Sequence, residues 1–323
     1  MPIILALDFG GTKHTAAVFQ PSTAEESPAW SSHERAFSPP GANVETDIRQ
    51  MLDLARKVLK GELPDAVGVS FGGPVDAQTG IVRLSHHVPG WENFPLAEVL
   101  QEELSAPVIV DNDANLGALG EQRYGAGRGY SSLLYITVST GVGGGWILND
   151  KPWRGADNMA GEIGHTVVDP GGPQCLCGKR GCVERMASGP YMADDARQIL
   201  EQHPSEGGRL RDLVNGDLPA VTARRLSEAA QSGDAFSRGV LEAGARALGV
   251  GIGNAANLVN PELFLLGGGV TKSGEFWWEE VRASARRTSL PEVHFAVKPA
   301  TLGDDAPLWG AVALALDANS LEI

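Results

Sequence analysis

One histidine and three cysteines stand close together in the chain, interleaved with glycine. The segment reads Gly161-Glu162-Ile163-Gly164-His165 and, nine residues on, Cys175-Leu176-Cys177-Gly178-Lys179-Arg180-Gly181-Cys182-Val183-Glu184; these are the only three cysteines in the protein. An imidazole and three thiolates make a closed tetrahedral donor set for zinc, with no position left open for chemistry at the metal. The expected ligands are His165, Cys175, Cys177 and Cys182, and Gly178 and Gly181 let the backbone turn tightly around an ion. Such a clamp would also fix Glu162, His165 and Glu184 in space, as a polar binding site requires. Two other readings exist: three buried, inert thiols, or one disulfide. The odd count and the adjacent Cys-x-Cys oppose the second.

A second polar cluster is Val110-Asp111-Asn112-Asp113-Ala114-Asn115, set between a strand end and a helix start. Asp113 has two readings. It could cap the helix, or it could be the general base that accepts the proton of an attacking hydroxyl in phosphoryl transfer. Beside it, Asn112 offers a donor and an acceptor to a sugar hydroxyl.

Glycine turns follow three apolar strands. Leu5-Ala6-Leu7-Asp8-Phe9-Gly10-Gly11-Thr12-Lys13 and Tyr135-Ile136-Thr137-Val138-Ser139-Thr140-Gly141-Val142-Gly143-Gly144-Gly145 are the same device about 130 residues apart. Each presents backbone N–H groups and a Thr hydroxyl that can wrap phosphate oxygens, and neither is a Walker loop. Asp8 could hold a magnesium ion through water, or simply accept from turn amides. The third turn, Gly267-Gly268-Gly269, could let an adenine ring lie flat on backbone. The run Gly249-Val250-Gly251-Ile252-Gly253-Asn254 reads first as close helix packing and second as a nucleotide contact.

The elements that must position these residues alternate between strand and helix. Strands are expected at 3–8, 66–71, 107–110, 133–139, 145–148, 263–266 and near 294–297, with 15–19 as a hairpin partner of the first. Helices are expected at 44–59, 96–104, 114–124, 276–287 and 307–318, and helices dominate 190–258. Residues 150–185 hold the cysteine loop and little regular structure. The pattern is α/β.

At 323 residues, with 42% hydrophobic and 20% charged residues, the chain reads as an ordinary soluble protein of two domains. A net charge of −14 opposes nucleic acid as a partner. No apolar run reaches transmembrane length, and no secretory signal opens the chain. The expected location is cytoplasmic, where thiols stay reduced.

The motifs together resemble the ROK family (repressor, open reading frame, kinase) within the actin-like and hexokinase-like ATPases. The resemblance is carried by Asp8-x-Gly-Gly-Thr-Lys13, Asn112-Asp113-Ala114-Asn115, Thr140-Gly-x-Gly-Gly-Gly145, Gly161-Glu-Ile-Gly-His165, Cys175-x-Cys-Gly-x-x-Gly-Cys182-x-Glu184 and Leu266-Gly-Gly-Gly-Val270. It implies a two-domain actin-like, ribonuclease H-like fold with a central cleft. The expected small domain is 1–111 with 306–323, and the large one 112–305 with the zinc loop at 161–185. It implies ATP with Mg2+ held by Asp8, Gly10, Gly11, Thr12, Lys13, Thr140, Gly141, Gly143, Gly268 and Gly269. It implies Asp113 as the base and Gly73, Asn112, Asp113, Glu162, His165 and Glu184 around the sugar, with His165 sharing its two ring nitrogens between sugar and zinc. A homodimer or tetramer is also implied. The phosphate turn begins at residue 8, which leaves no room ahead of it for the DNA-binding helix-turn-helix that many relatives carry.

The expected activity is transfer of phosphate from ATP to the 6-hydroxyl of an aldohexose, with glucose as substrate. The alternatives are an N-acetylmannosamine or N-acetylglucosamine kinase, and, from another class, a non-catalytic sugar-sensing regulator. One departure from the family pattern is His87 in His87-Val88-Pro89-Gly90-Trp91, where relatives commonly carry asparagine near the sugar.

Overall fold

The protein is described by a computed structural model covering residues 1–21, 29–85 and 88–318; His87 lies outside the described residues. The chain divides into two compact units. Unit 1 comprises Met1–Ser131, Gly145–Ala160 and Thr301–Ile323, and unit 2 comprises Ser132–Gly144 and Gly161–Ala300.

Unit 1 opens with strands β1 (Ile4–Phe9), β2 (Lys13–Phe19) and β3 (Ser32–Phe37), then helix α1 (Val44–Leu59) and strand β4 (Ala66–Phe71). The short strands β5 (Val75–Asp76) and β6 (Ile81–Val82) follow, then α2 (Leu96–Leu104), β7 (Val108–Asn112) and α3 (Asp113–Tyr124). The five-stranded sheet has the order β3-β2-β1-β4-β7. Strands β1, β4 and β7 are parallel, and β2 and β3 extend the sheet antiparallel. Every residue of β1 and β4 is buried, as expected for central strands covered on both faces.

Side-chain alternation along the strands sends Leu5, Leu7, Phe9, Val67, Val69 and Phe71 into one apolar cluster with Met51, Leu52 and Ala55 of α1 and Leu96 and Leu100 of α2. Helix α1 starts at Asn43, whose side chain accepts from the Thr46 amide at 3.0 Å, a stop on fraying worth roughly 1 kcal/mol. The intervening strand positions meet the C-terminal helix described below. There a Cβ at residue 68 would lie 2.0 Å from the Ala311 carbonyl oxygen, so Gly68 lets helix and sheet touch through backbone.

The second sheet runs β10-β9-β8-β11-β12. Its strands are β8 (Ser132–Val138), β9 (Val142–Leu148), β10 (Lys151–Trp153), β11 (Leu263–Gly267) and β12 (Ala296–Pro299), and β8, β11 and β12 are parallel. Helices α4 (Val183–Ala187), α5 (Gly189–Gln202), α6 (Gly208–Leu213), α7 (Ala223–Gln231) and α8 (Ala235–Val259) precede β11, and α9 (Glu275–Thr288) precedes β12. The last helix, α10 (Ala306–Ala318), returns to unit 1. The glycine run at 249–254 falls inside α8. A Cβ at Gly249 would meet Val281 O at 2.6 Å and one at Gly253 would meet Ala285 O at 2.8 Å, so these glycines serve the close packing of α8 on α9. Among the described residues no helix is long and apolar enough to cross a membrane.

Candidate active site

Strand register gathers the acidic residues of unit 1. Asp8 pairs with Ser70 across β1 and β4, Ser70 with Asp111 across β4 and β7, and Phe71 with Asn112. The three parallel strands therefore finish at one edge, where ligands of open α/β sheets bind. The segments that follow them, from Gly10, Gly72 and Asp113, leave the sheet side by side. Gly72 N donates to Phe9 O at 2.9 Å, and a Cβ at residue 72 would stand 3.8 Å from Asp113 Oδ2.

The cap of α3 is Asn112. Its Oδ1 accepts from the Ala114 amide at 2.9 Å and the Asn115 amide at 3.4 Å, while its Nδ2 donates to the Gly73 carbonyl at 3.1 Å. Asp113 is the first helical residue, half-buried, and its Oδ1 also accepts from the Ala114 amide, at 2.8 Å. Desolvation, reinforced by the negative charge of Asp8, pushes the Asp113 carboxyl up to about 7. Asp8 is buried, accepts from Ser70 Oγ at 2.7 Å, and is itself raised by desolvation against the opposing Ser70 hydrogen bond and the charges of Lys13, His14 and Arg35. Both carboxyls therefore hold a proton more tightly than a free aspartate does, Asp113 in part because of the charge of Asp8.

Asp111, fully buried, holds this corner rigid. It accepts from Asn112 N and Asn115 Nδ2 on one oxygen and from Arg154 on the other, at 2.7 Å to Nε. Arg154 and Ser70 were not legible as site residues, since a lone arginine 43 positions away and a serine in a strand carry no local signal. In the first glycine turn, Gly10 N donates to Lys13 O at 3.0 Å and Thr12 is exposed. Lys13 Nζ pairs with the exposed Asp304 at 2.7 Å. Such an exposed pair is weak in water, at about 0–1 kcal/mol.

Unit 2 repeats the edge geometry. Gly267 pairs with Thr137, so Gly268 passes directly over Val138, with φ +91° and a virtual Cβ 2.4 Å from Val138 O, a position only glycine fills. The turn Ser139-Thr140-Gly141 and the turn Gly268-Gly269 thus leave neighbouring parallel strands at the same edge, with Thr140 and Gly269 exposed and Gly143 half-buried on β9. Glu162 is exposed, and its Oε2 lies 4.0 Å from His165 Nε2. Glu184 sits in the first turn of α4 and accepts from the Val142 amide at 3.0 Å.

His165, Cys175, Cys177 and Cys182 each offer a donor atom, and these atoms lie within 4.8 Å of one another. Tetrahedral zinc with sulfur at 2.3 Å calls for about 3.8 Å between sulfurs; Cys177 and Cys182 are 3.5 Å apart and all three cysteines are free. His165 Nδ1 is buried with no hydrogen-bond partner, the state of a nitrogen aimed at a metal while Nε2 faces Glu162. Desolvation, then the neighbouring thiols, push Cys182 up to about 12, whereas the Lys179 amide holds Cys177 down. Crowded thiols of this kind are relieved by sharing a dication. The donor set fits one ion.

With this geometry in view, likeness to known proteins becomes informative. Over 275 residues the chain is 39% identical to a glucokinase of Halalkalibacterium halodurans, covering 84% of this chain and 82% of that protein. It is 31% identical over 324 residues to the glucokinase of Streptomyces coelicolor, covering 99% and 100%. It superposes with a TM-score of 0.83, at 34% identity and with 98% and 99% coverage, on the crystal structure of a ROK family glucokinase from Streptomyces griseus in complex with glucose and AMPPNP. The fold is thus that of the actin-like ATPases. The ROK family pattern matches residues 4–318, from the start of β1 to the last described residue of α10, and the chain belongs to the ROK family.

Proposed function

We propose that the protein is a glucokinase, transferring the γ-phosphoryl group of ATP to the 6-hydroxyl of glucose. The observation that carries the reading is Asp113: a carboxylate at the edge of a parallel sheet, freed from the capping task by Asn112 and raised to about 7. A base of that affinity takes up a hydroxyl proton near neutral pH as the oxygen attacks phosphorus, and gives it back to solvent after ADP leaves. Likeness to glucokinases over most of the chain, including one solved with glucose and AMPPNP, supports the substrate and the donor.

Asn112, Glu162, His165 and Glu184 supply donors and acceptors for the sugar hydroxyls, with Gly73 lining the loop that Asn112 holds. Gly10, Gly11, Thr12 and Lys13 in unit 1, and Thr140, Gly141 and Gly143 in unit 2, serve the phosphates, and Gly268 and Gly269 the adenine. Magnesium, when bound, neutralises phosphate charge, and Asp8 is the carboxylate suited to it. His165, Cys175, Cys177 and Cys182 hold a structural zinc that orders the Glu162-to-Glu184 segment and takes no part in the reaction. A cytoplasmic homodimer is part of the same reading, on the family resemblance.

The test is a coupled ADP-release assay with ATP and magnesium against glucose, mannose, fructose, N-acetylglucosamine and N-acetylmannosamine. Turnover is expected with glucose and little with the acetamido sugars. A strong preference for an acetamido sugar would overturn the glucose assignment, and no turnover with any of them would overturn the kinase assignment.

A further inference from the structure

Val142 is where the residues assigned to the sugar meet the second phosphate turn. Its amide donates to Glu184 Oε2 at 3.0 Å. Its carbonyl oxygen lies against Gly164, where a Cβ would come within 2.0 Å of it. One residue earlier, a Cβ at Gly141 would fall 2.8 Å from the same Glu184 Oε2. On either side of Glu184, Val183 N donates to Thr166 O at 3.0 Å, and the Arg185 side chain donates to the Asp195 carboxylate through two bonds of 2.8 and 2.7 Å. The Val142 amide is the hydrogen-bond donor that links this carboxylate to the turn.

We propose that Glu184 is a positioning residue that couples the sugar to the nucleotide. One of its oxygens orders the Thr140-Gly141-Val142 turn through the Val142 amide, and the same carboxylate serves a sugar hydroxyl. The inference rests on the kinase reading above. A sugar that fixes the carboxylate narrows the conformations of the turn, so the phosphates meet a turn whose ordering cost is already met. By linkage the nucleotide improves sugar binding by the same factor. ATP alone meets a looser turn, which restrains hydrolysis when no sugar is present. Gly141 does not have a positive φ, so alanine there acts through its contact with Glu184 and not through backbone strain.

The experiment is calorimetric titration of the full chain with glucose and with a non-hydrolysable ATP analogue plus magnesium, separately and together. In the parent protein each ligand is expected to tighten the other by about 5-fold or more. Glu184→Ala is expected to weaken the analogue in the absence of glucose and to bring the coupling factor to unity. Glu184→Gln keeps an acceptor oxygen for the Val142 amide and is expected to restore analogue affinity. Gly141→Ala is expected to weaken glucose binding with no nucleotide present. The inference is overturned if the two ligands bind the parent protein independently, if Glu184→Ala changes glucose affinity alone, or if Gly141→Ala leaves nucleotide-free glucose affinity unchanged. A parent protein that binds neither ligand overturns the kinase reading itself, a distinct result.

Discussion

Asn112 Nδ2 donates to the Gly73 carbonyl oxygen at 3.1 Å while Asn112 Oδ1 caps α3. One side chain thus ties the loop after β4 to the helix that begins with Asp113, and the two jobs can be separated by mutation. Asn112→Asp keeps the cap and loses the donor, so the glucose KM should rise with α3 still capped. Asn112→Ala loses both and should also give up about 1 kcal/mol of stability. Equal melting temperatures for the two variants would show that the cap contributes nothing.

Asp113→Asn should lower kcat by about 100-fold or more, since a general base of this kind contributes that much, and glucose binding should remain measurable. In the parent protein kcat/KM should fall as pH drops below about 7, because the base must be ionised. The stability effect has the opposite sense. With the folded-state value raised from 3.8 to about 7, the folded protein binds the extra proton, and stability declines as pH rises across that window. Asp113→Asn should therefore melt higher than the parent above pH about 7 and converge with it near pH 4. A variant that melts lower at pH 8 would contradict the assigned cause.

Cys177→Ala removes an exposed member of the four-residue cluster. Metal content by atomic emission should fall from one zinc per chain to near zero, and glucose affinity should fall with it. Unchanged metal content would sink the zinc assignment.

Glu162→Gln alters an exposed carboxylate that lies 4.0 Å from His165 Nε2. The glucose KM should rise more than the ATP KM. A larger change in the ATP KM would remove Glu162 from the sugar site.

Glu121 separates stability from activity. It is fully buried and accepts from Thr301 N, Leu302 N, Ala126 N and Thr301 Oγ1 at 2.8, 2.7, 2.9 and 3.3 Å. In Glu121→Gln an amide NH2 must face some of those donors, at a cost of about 2 kcal/mol. The midpoint of chemical denaturation should shift down, with glucose KM little changed below the transition.

The longer helices and the buried strands were legible in the sequence alone, because they depend on short-range pattern, whereas the short strands β5, β6 and β10 were not among those expected. Helices were expected at 44–59 and 96–104 and form with those bounds. The buried strands around Leu5, Val67 and Leu265 each run into the glycine turn their sequence announces. The metal cluster was legible for the same reason, since three of its four ligands lie within eight residues. Tertiary structure decided how the polar groups are shared. Asn112 and Asp113 are adjacent and both suit a cap, and only the extended backbone at Asn112, with φ −66° and ψ 145°, settles that Asn112 is the cap and Asp113 the first helical residue. Asp8 with Ser70, Asp111 with Arg154, Lys13 with Asp304 and Glu184 with Val142 are separated by 62, 43, 291 and 42 residues. No periodicity or local propensity encodes such pairs; they exist because strand register and helix packing within each unit bring distant segments together, and a buried carboxylate such as Asp8 or Asp111 then takes whatever donor lies beside it.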